Sequence, residues 1–437
     1  MKSDPRMRPL GDFVRLISGN TPSKADESYW NGDTPWISAK DMANFWIEDS
    51  EDHLTPAGVA AASRLVSPGT VLRLTRGMTL HKRVPICRTA QAATFNQDVK
   101  AVLPREGLSA RFLPYLLVGN HDRLHERVDA AGHGTGRLNT DALLAFPVWV
   151  PAPLEQDAIA SIGEALDERL RLLRETNATL EAIAQALFKS WFVDFDPVRA
   201  KMAGRAPEGM DEATAELFPD ALEETELGVV PKGWAYQPIS EVVEGVYDGP
   251  HATPPEANSG GVFLGIKNLT GTALDLSEIR FIGDAEWAKW TKRVEPRAGD
   301  IVFSYEATLG FFALIPPDLR CCLGRRLALI RPKGKDGAGH FWFHQFVAPP
   351  FQALLAKHTI QGATVNRIAL KEFPSYPVLV PSQPLRAAFH DVASGLWAKI
   401  QRNQAQAQTL AALRDSLLPR LISGQLRLPK LMEAKVA

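Results

Sequence analysis

The sequence predicts an α/β protein built twice: two tandem units of mixed α/β structure, each followed by a long helix. The two helices pair as an antiparallel coiled coil with a pseudo-twofold. Three observations predict this. The 437 residues align with themselves at an offset near 230. Each half begins with about 145 residues of short Val/Ile/Leu/Phe-rich strands punctuated by Gly and Pro. Each half then ends in a stretch almost free of Gly and Pro whose apolar residues step by four and three.

The repeat is visible in order along the chain. Leu10-Gly-Asp-Phe-Val14 matches Ile239-Ser-Glu-Val-Val243, and a turn with Thr-Pro follows each (Thr21-Pro22, Thr253-Pro254). Trp36-Ile-Ser-Ala-Lys-Asp-Met42 matches Leu264-Gly-Ile-Lys-Asn-Leu269, and Pro68-Gly-Thr-Val-Leu72 matches Ala298-Gly-Asp-Ile-Val302. Val99-Lys-Ala-Val-Leu-Pro104 answers Leu327-Ala-Leu-Ile-Arg-Pro332, and Phe146-Pro-Val-Trp-Val-Pro151 answers Tyr376-Pro-Val-Leu-Val-Pro381. One such match is chance; this many in one order at offsets of 227 to 232 mark a divergent tandem duplication.

After each Val-Pro stop the texture becomes helical. Leu166, Leu170, Leu173, Asn177, Leu180, Ala184, Leu187 and Trp191 form an unbroken a/d seam. Leu396, Ile400, Asn403, Ala407, Leu410, Arg414, Leu417 and Leu421 repeat it less cleanly. A helix packed on a globular domain shows a similar stripe, but persistence over nearly four heptads favours a helix partner. At 1.5 Å per residue the first helix is a rod of roughly 58 Å, and its repeat-mate is the expected cover. Asn177 and Asn403 stand at seam positions, where a polar residue either sets register or snorkels at the seam edge. The boundaries read as 1–153, 154–192 (helix), 193–232, 233–383, 384–426 (helix) and a tail at 427–437. Between Pro207 and Leu227 lie eight acidic residues and no basic ones, so 193–232 reads as a solvated acidic linker with one short helix.

With 45% hydrophobic residues the chain can bury cores, and its net charge of −1 opposes, at first reading, a nucleic-acid partner. Without the eight linker acids the remainder carries +7. Three cysteines make no disulfide framework, and neither a signal peptide nor an apolar run long enough for a membrane span occurs. The expectation is a cytoplasmic protein without membrane contact.

Catalytic signatures are missing. There is no phosphate-binding loop, no G-x-G-x-x-G after a strand and no Gly-x-Ser-x-Gly. Ala348-Pro-Pro-Phe351 lacks the polar residue an adenine methyltransferase needs before Pro-Pro, and Pro219-Asp220 and Pro317-Asp318 lack the Lys of a nuclease. His121 with His125 and His340 with His344 have i, i+4 spacing but no third ligand, so no metal site is expected. The chain reads as a recognition protein without catalytic residues.

Basic residues cluster twice. Arg64, Arg73, Arg76, Lys82, Arg83 and Arg88 lie in one acid-free stretch, and Arg320, Arg325, Arg326, Arg331, Lys333 and Lys335 in its repeat equivalent. Ordinary solvated strands explain single clusters; recurrence favours phosphate contacts with base-edge readout by Arg, Asn and Gln. Two divergent readers imply a bipartite, non-palindromic site, with an unread gap of around one turn of DNA set by the helices.

Further motifs carry a resemblance. Ser18-Gly-Asn-Thr-Pro22 with Tyr29-Trp-Asn-Gly-Asp-Thr-Pro-Trp-Ile37 resembles the opening of a target-recognition domain in the specificity subunits of Type I restriction–modification systems. Val150-Pro-Ala-Pro-Leu-Glu-Gln156 resembles entry into that family's central helix. Leu187-Phe-Lys-Ser-Trp-Phe-Val-Asp-Phe-Asp-Pro-Val-Arg-Ala-Lys201 and Leu417-Leu-Pro-Arg-Leu-Ile-Ser-Gly-Gln-Leu426 resemble the ends of its two helices.

The resemblance implies a non-catalytic chain holding two target-recognition domains (1–153 and 233–383) on double-stranded DNA. It would dock two methyltransferase subunits and two restriction/translocase subunits, which carry S-adenosylmethionine, ATP and Mg²⁺. Docking would fall to Glu155, Gln156, Trp191 and Phe192; Ser382-Gln-Pro-Leu385 replaces the Glu-Gln pair in the second half, which questions equal docking. Candidate DNA-binding residues are Lys40, Arg73, Arg76, Lys82, Arg83, Asn96 and Arg137, then His251, Lys267, Tyr305, Arg325, Arg326, Asn366 and Arg367. The specificity subunit of a fused restriction–modification enzyme would share this architecture, and a coiled-coil scaffold binding protein is the rival outside DNA recognition.

Overall fold

A computed structural model describes residues 7–62, 64–130, 135–334, 339–362 and 365–428; Lys335 and most of the predicted tail lie outside them. The chain forms two compact units, Met1–Leu172 with Gln406–Ala437, and Leu173–Ala405. The division falls inside the two long helices, Pro153–Phe192 and Gln383–Ile422, each of 40 residues. Each unit therefore owns one strand-rich half and a stretch of both helices.

In the first unit the main sheet has the strand order Val14–Ser18, Val99–Pro104, Val71–Leu74, Ile86–Thr89, Trp46–Ile47. Its pairings are antiparallel except the last. All four residues of the central Val71–Leu74 strand are buried, as expected when a strand is covered on both faces. The core continues into the helices: Ile159 and Ala160 share it with Leu418, Leu421 and Ile422. Further along, Arg414 donates to Asp167 at 2.9 Å. Numbers rise along one helix as they fall along the other, so the pairing here is antiparallel.

The second unit repeats the plan with the order Val243–Asp248, Leu327–Pro332, Ile301–Ser304, Phe312–Leu314. In both units a short ladder just before the long helix returns to the start of the half: Arg8–Pro9 on Pro147–Val148, and Ala235–Pro238 on Pro377–Val380. The helix pair packs through aromatic rings, with Phe188 5.3 Å from Phe389 and Trp191 6.0 Å from it. Asn403 meets Asn177 at 2.8 Å, which makes this stretch antiparallel too.

All sixteen predicted seam positions are buried or half-buried. Burying one Leu contributes about 1.5–3 kcal/mol, so the seam is a main source of the rods' stability. Residues 193–232 depart from the solvated-linker expectation. They form helices Asp196–Met202 and Glu212–Glu216 and a hairpin of Leu222–Thr225 on Gly228–Pro231. Phe218 and Val230 anchor them in the second unit's core, and Lys201 donates to the Ala215 carbonyl at 3.1 Å. Averaged acidity hid these isolated apolar anchors.

Candidate nucleic-acid interface

In the first unit a small ladder has the order Asp129–Ala130, Gly136–Arg137, Arg76–Gly77. Its register sets Arg137 opposite Asp129 on one side and Arg76 on the other. Directly opposed residues share a face with Cβ atoms roughly 4.5–5.5 Å apart, and like charges there are unfavourable. Arg76 and Arg137 are both exposed, and neither is ion-paired with a described residue. Two exposed guanidinium groups side by side, with Asp129 opposite only one of them, leave net positive charge that suits an external polyanion. Gly77 at φ +152 lets the chain leave this ladder, a conformation glycine adopts without a Cβ penalty. It leads into the Met78–His81 turn and exposed Lys82.

The second unit carries a ladder at the equivalent place with different neighbours. Thr359–Ile360 pairs with Arg367–Ile368, putting Ile360 opposite Arg367, and a single bridge puts Glu306 opposite Arg367 on the other side. Arg367 and Arg325 are exposed, and Arg326 is half-exposed at φ +74. Glu306 escaped a search directed at basic residues; the 230-residue offset from Arg76 points to it.

Other candidates are buried or make contacts within the chain. Arg73 is fully buried in the central strand, with one hydrogen bond among the described residues, to the Leu138 carbonyl at 3.5 Å, and burial lowers its pKa to about 10. It is corrected from surface to core, because an Arg in a doubly covered strand looks the same in sequence as one on a solvated face. Tyr305 is likewise buried, its hydroxyl unpartnered and its pKa raised by burial. Arg83 donates to the carbonyls of Met42 and Ala43 at 2.8 and 3.2 Å. Asn96 accepts from the N–H groups of Asp98 and Val99, closing a turn. Lys40 pairs with Glu51 and Asp52, which hold its ammonium pKa above the usual range, Glu51 most strongly. His251 lies 3.0 Å from Asp248, Lys267 3.4 Å from Glu278, and Asn366 accepts from Gly362 N–H at 3.4 Å.

The recurring basic zones also thin out. Arg88 stacks 4.6 Å over Trp46, Arg320 pairs with Asp284 and lies 4.1 Å over Trp287, and Arg331 grips buried Asp300 at 2.6 and 2.9 Å. Lys333 donates to the carbonyls of Ser240 and Glu241. Part of the matched basicity therefore holds the sheets together.

The docking set is placed differently from expectation. Gln156 is 1% exposed: its oxygen accepts from Ser109 N–H at 2.8 Å, and its amide donates to Gly107 and Pro151 carbonyls, both at 2.9 Å. Trp191 and Phe192, each 4% exposed, lie in the second unit's aromatic core. These three side chains are used by the chain itself, and only Glu155 is half-exposed. Among the described residues no group of three or more His, Cys, Asp or Glu is placed to hold a metal ion, and no helix of the described residues is long and apolar enough to cross a membrane.

Residues 2–182 match the family model described as Type I restriction modification DNA specificity domain. The chain is 26% identical over 438 residues to the Type I restriction enzyme MjaIX specificity subunit of Methanocaldococcus jannaschii, covering 97% of this chain and 94% of that protein. It is 25% identical over 366 residues to the HindI specificity subunit of Haemophilus influenzae, covering 72% and 77%. Its fold is similar to that of the Type-I restriction-modification S subunit from M. genitalium, with a TM-score of 0.50 at 13% identity over 97% of this chain and 98% of that one. A duplicated α/β framework, paired long helices and exposed arginines at equivalent ladder positions accompany these likenesses: the chain is similar over most of its length to Type I restriction enzyme specificity subunits, and residues 2–182 match their DNA specificity domain.

Proposed function

We propose that the chain reads a bipartite, non-palindromic DNA sequence, one part through each strand-rich half (1–153 and 233–383), and is not itself catalytic. It would direct two methyltransferase subunits, and in the full assembly two restriction/translocase subunits, to that sequence for adenine methylation or ATP-dependent cleavage. S-adenosylmethionine, ATP and Mg²⁺ would act on those partners, inside the cytoplasm. The observation that carries this reading is the repeated ladder: a shared scaffold presents an exposed arginine at 137 and again at 367, while the residues around each differ. Shared geometry with divergent exposed chemistry is what two readers of unlike sequences require.

Among the candidates, all but buried Arg73 and Tyr305 are exposed or half-exposed, and Arg76, Lys82, Arg137, Arg325, Arg326 and Arg367 are the basic ones for which no internal partner has been described above. The deciding experiment is adenine-methylation mapping in cells carrying the partner genes, with this gene intact, deleted, or carrying Arg137→Ala or Arg367→Ala. A two-part motif should appear only with the intact gene, and each variant should weaken methylation at it. Methylation unaffected by deletion would overturn the reading.

A further inference from the structure

The central and one flanking position of the two ladders correspond at an offset of 230, and the charges beside the central arginine differ. Leu138 N–H donates to the Thr75 carbonyl at 2.9 Å in one, and Ile368 N–H donates to the Tyr305 carbonyl at 2.8 Å in the other. The two positions correspond at an offset of 230, Thr75 to Tyr305 and Leu138 to Ile368. Beside this bond Arg76 faces Arg137 in the first unit, and Glu306 faces Arg367 in the second. The central arginine is kept, but Asp129 and Arg76 flank it in the first unit whereas Ile360 and Glu306 flank it in the second, so the acid stands on the opposite side.

Glu306 is not a simple ion-pair partner. It is half-buried and opposite an arginine, yet the two form no salt bridge. The next residue, Ala307, has φ +68 where the first unit has Gly77, and its N–H is tied to the Asn366 carbonyl at 3.1 Å. A residue with a Cβ is uncommon in that region, and such conformations gather at binding sites. The chain is bent so that Glu306 stands at the rim of the ladder beside an exposed arginine.

A carboxylate close to DNA is repelled by the phosphates, so it lowers affinity unless it meets a hydrogen-bond donor. On the major-groove edge the donors are the exocyclic amines, and Asp or Glu accepts from cytosine N4, whereas adenine is read bidentately by Asn or Gln and guanine by Arg. We infer that Glu306 is a specificity-determining residue that accepts a hydrogen bond from a cytosine amine in the part of the target read by the second unit. Arg367 beside it contacts the neighbouring guanine edge or phosphate. This inference rests on the reading of the chain as a two-part DNA-recognition subunit.

The test uses the full-length chain in complex with its methyltransferase subunits. Duplexes randomised over both recognition parts are selected by binding at fixed salt, and the bound fraction is sequenced. The wild-type complex should enrich a two-part motif. Glu306→Gln should lose about tenfold of the preference for cytosine at one position of one part, leaving the other part unchanged. Glu306→Arg should move that preference to guanine. If the wild-type complex enriches no motif, the DNA-recognition reading itself fails. If it enriches a motif that Glu306→Gln leaves unaltered, weakens uniformly, or alters at an adenine, the assignment of Glu306 is overturned while the wider reading stands.

Discussion

The side-chain amide of Asn403 donates to Oδ1 of Asn177 at 2.8 Å across the helix seam, and Asn177 in turn reaches the Ile400 carbonyl at 3.4 Å. Asn403 is buried, so this amide pair is satisfied only in one register of the two helices. Replacing Asn403 alone by Leu should destabilise the chain by about 1–3 kcal/mol, because the Asn177 amide then faces an apolar group. Replacing both by Leu should recover most of that loss. Urea midpoints of the two variants check the coupling; equal destabilisation by the single and double changes would contradict it.

Acid should weaken the second unit through its histidines. Burial pushes His344 down to about 3 and His340 to about 4, each with a neighbouring histidine adding to the shift, and burial also lowers His390. His344 accepts a hydrogen bond from the Trp397 indole at 3.2 Å, which requires a neutral ring. These groups are neutral when folded, whereas the unfolded chain takes up protons below about 6.5. Stability is therefore complete above that pH and falls as the pH drops toward the folded values. At pH 5 each of His340 and His344 should cost about 2 kcal/mol relative to neutral pH. In His340→Gln the loss between pH 7 and pH 5 should shrink by its share, measured by denaturant unfolding at both pH values.

Two helix glycines near equivalent positions should respond oppositely to alanine. A Cβ on Gly163 would lie 2.4 Å from the ring of buried Tyr115, whereas a Cβ on Gly395 would meet nothing within 4 Å. Gly395→Ala should stabilise by about 0.5–1 kcal/mol through helix propensity. Gly163→Ala should destabilise by about 1–3 kcal/mol through overpacking. Melting temperatures moving in the same direction would refute the contrast.

The Arg76 and Arg137 pair should act on DNA through charge. Removing both should lower affinity for every duplex and reduce the slope of log K against log salt by about two. Binding isotherms from low to moderate salt measure it. An unchanged slope would remove this ladder from the interface.

Periodicity and repetition were sufficient for the architecture, since a seam of alternating four- and three-residue steps and a 230-residue offset are properties of residue order. The candidate interface was only half legible. Arg137 and Arg367 were reachable through the repeat, but nothing local separates exposed Arg76 from Arg73, three residues earlier, which lies inside the sheet. That difference depends on what covers each face of the strand. Gln156 likewise looked like a contact residue at a helix start, and it is used for three internal hydrogen bonds whose partners are up to 49 residues away. Glu306 was invisible to a search for positive charge and becomes visible only opposite Arg367.

The first unit completes its core with Leu418, Leu421 and Ile422, more than 250 residues after Ile159 and Ala160, with which they share it. During synthesis the first half therefore leaves the ribosome with an uncovered apolar strip that persists while the entire second unit is made. Its core is completed only by residues translated after the whole second unit, so its folding cannot finish in chain order.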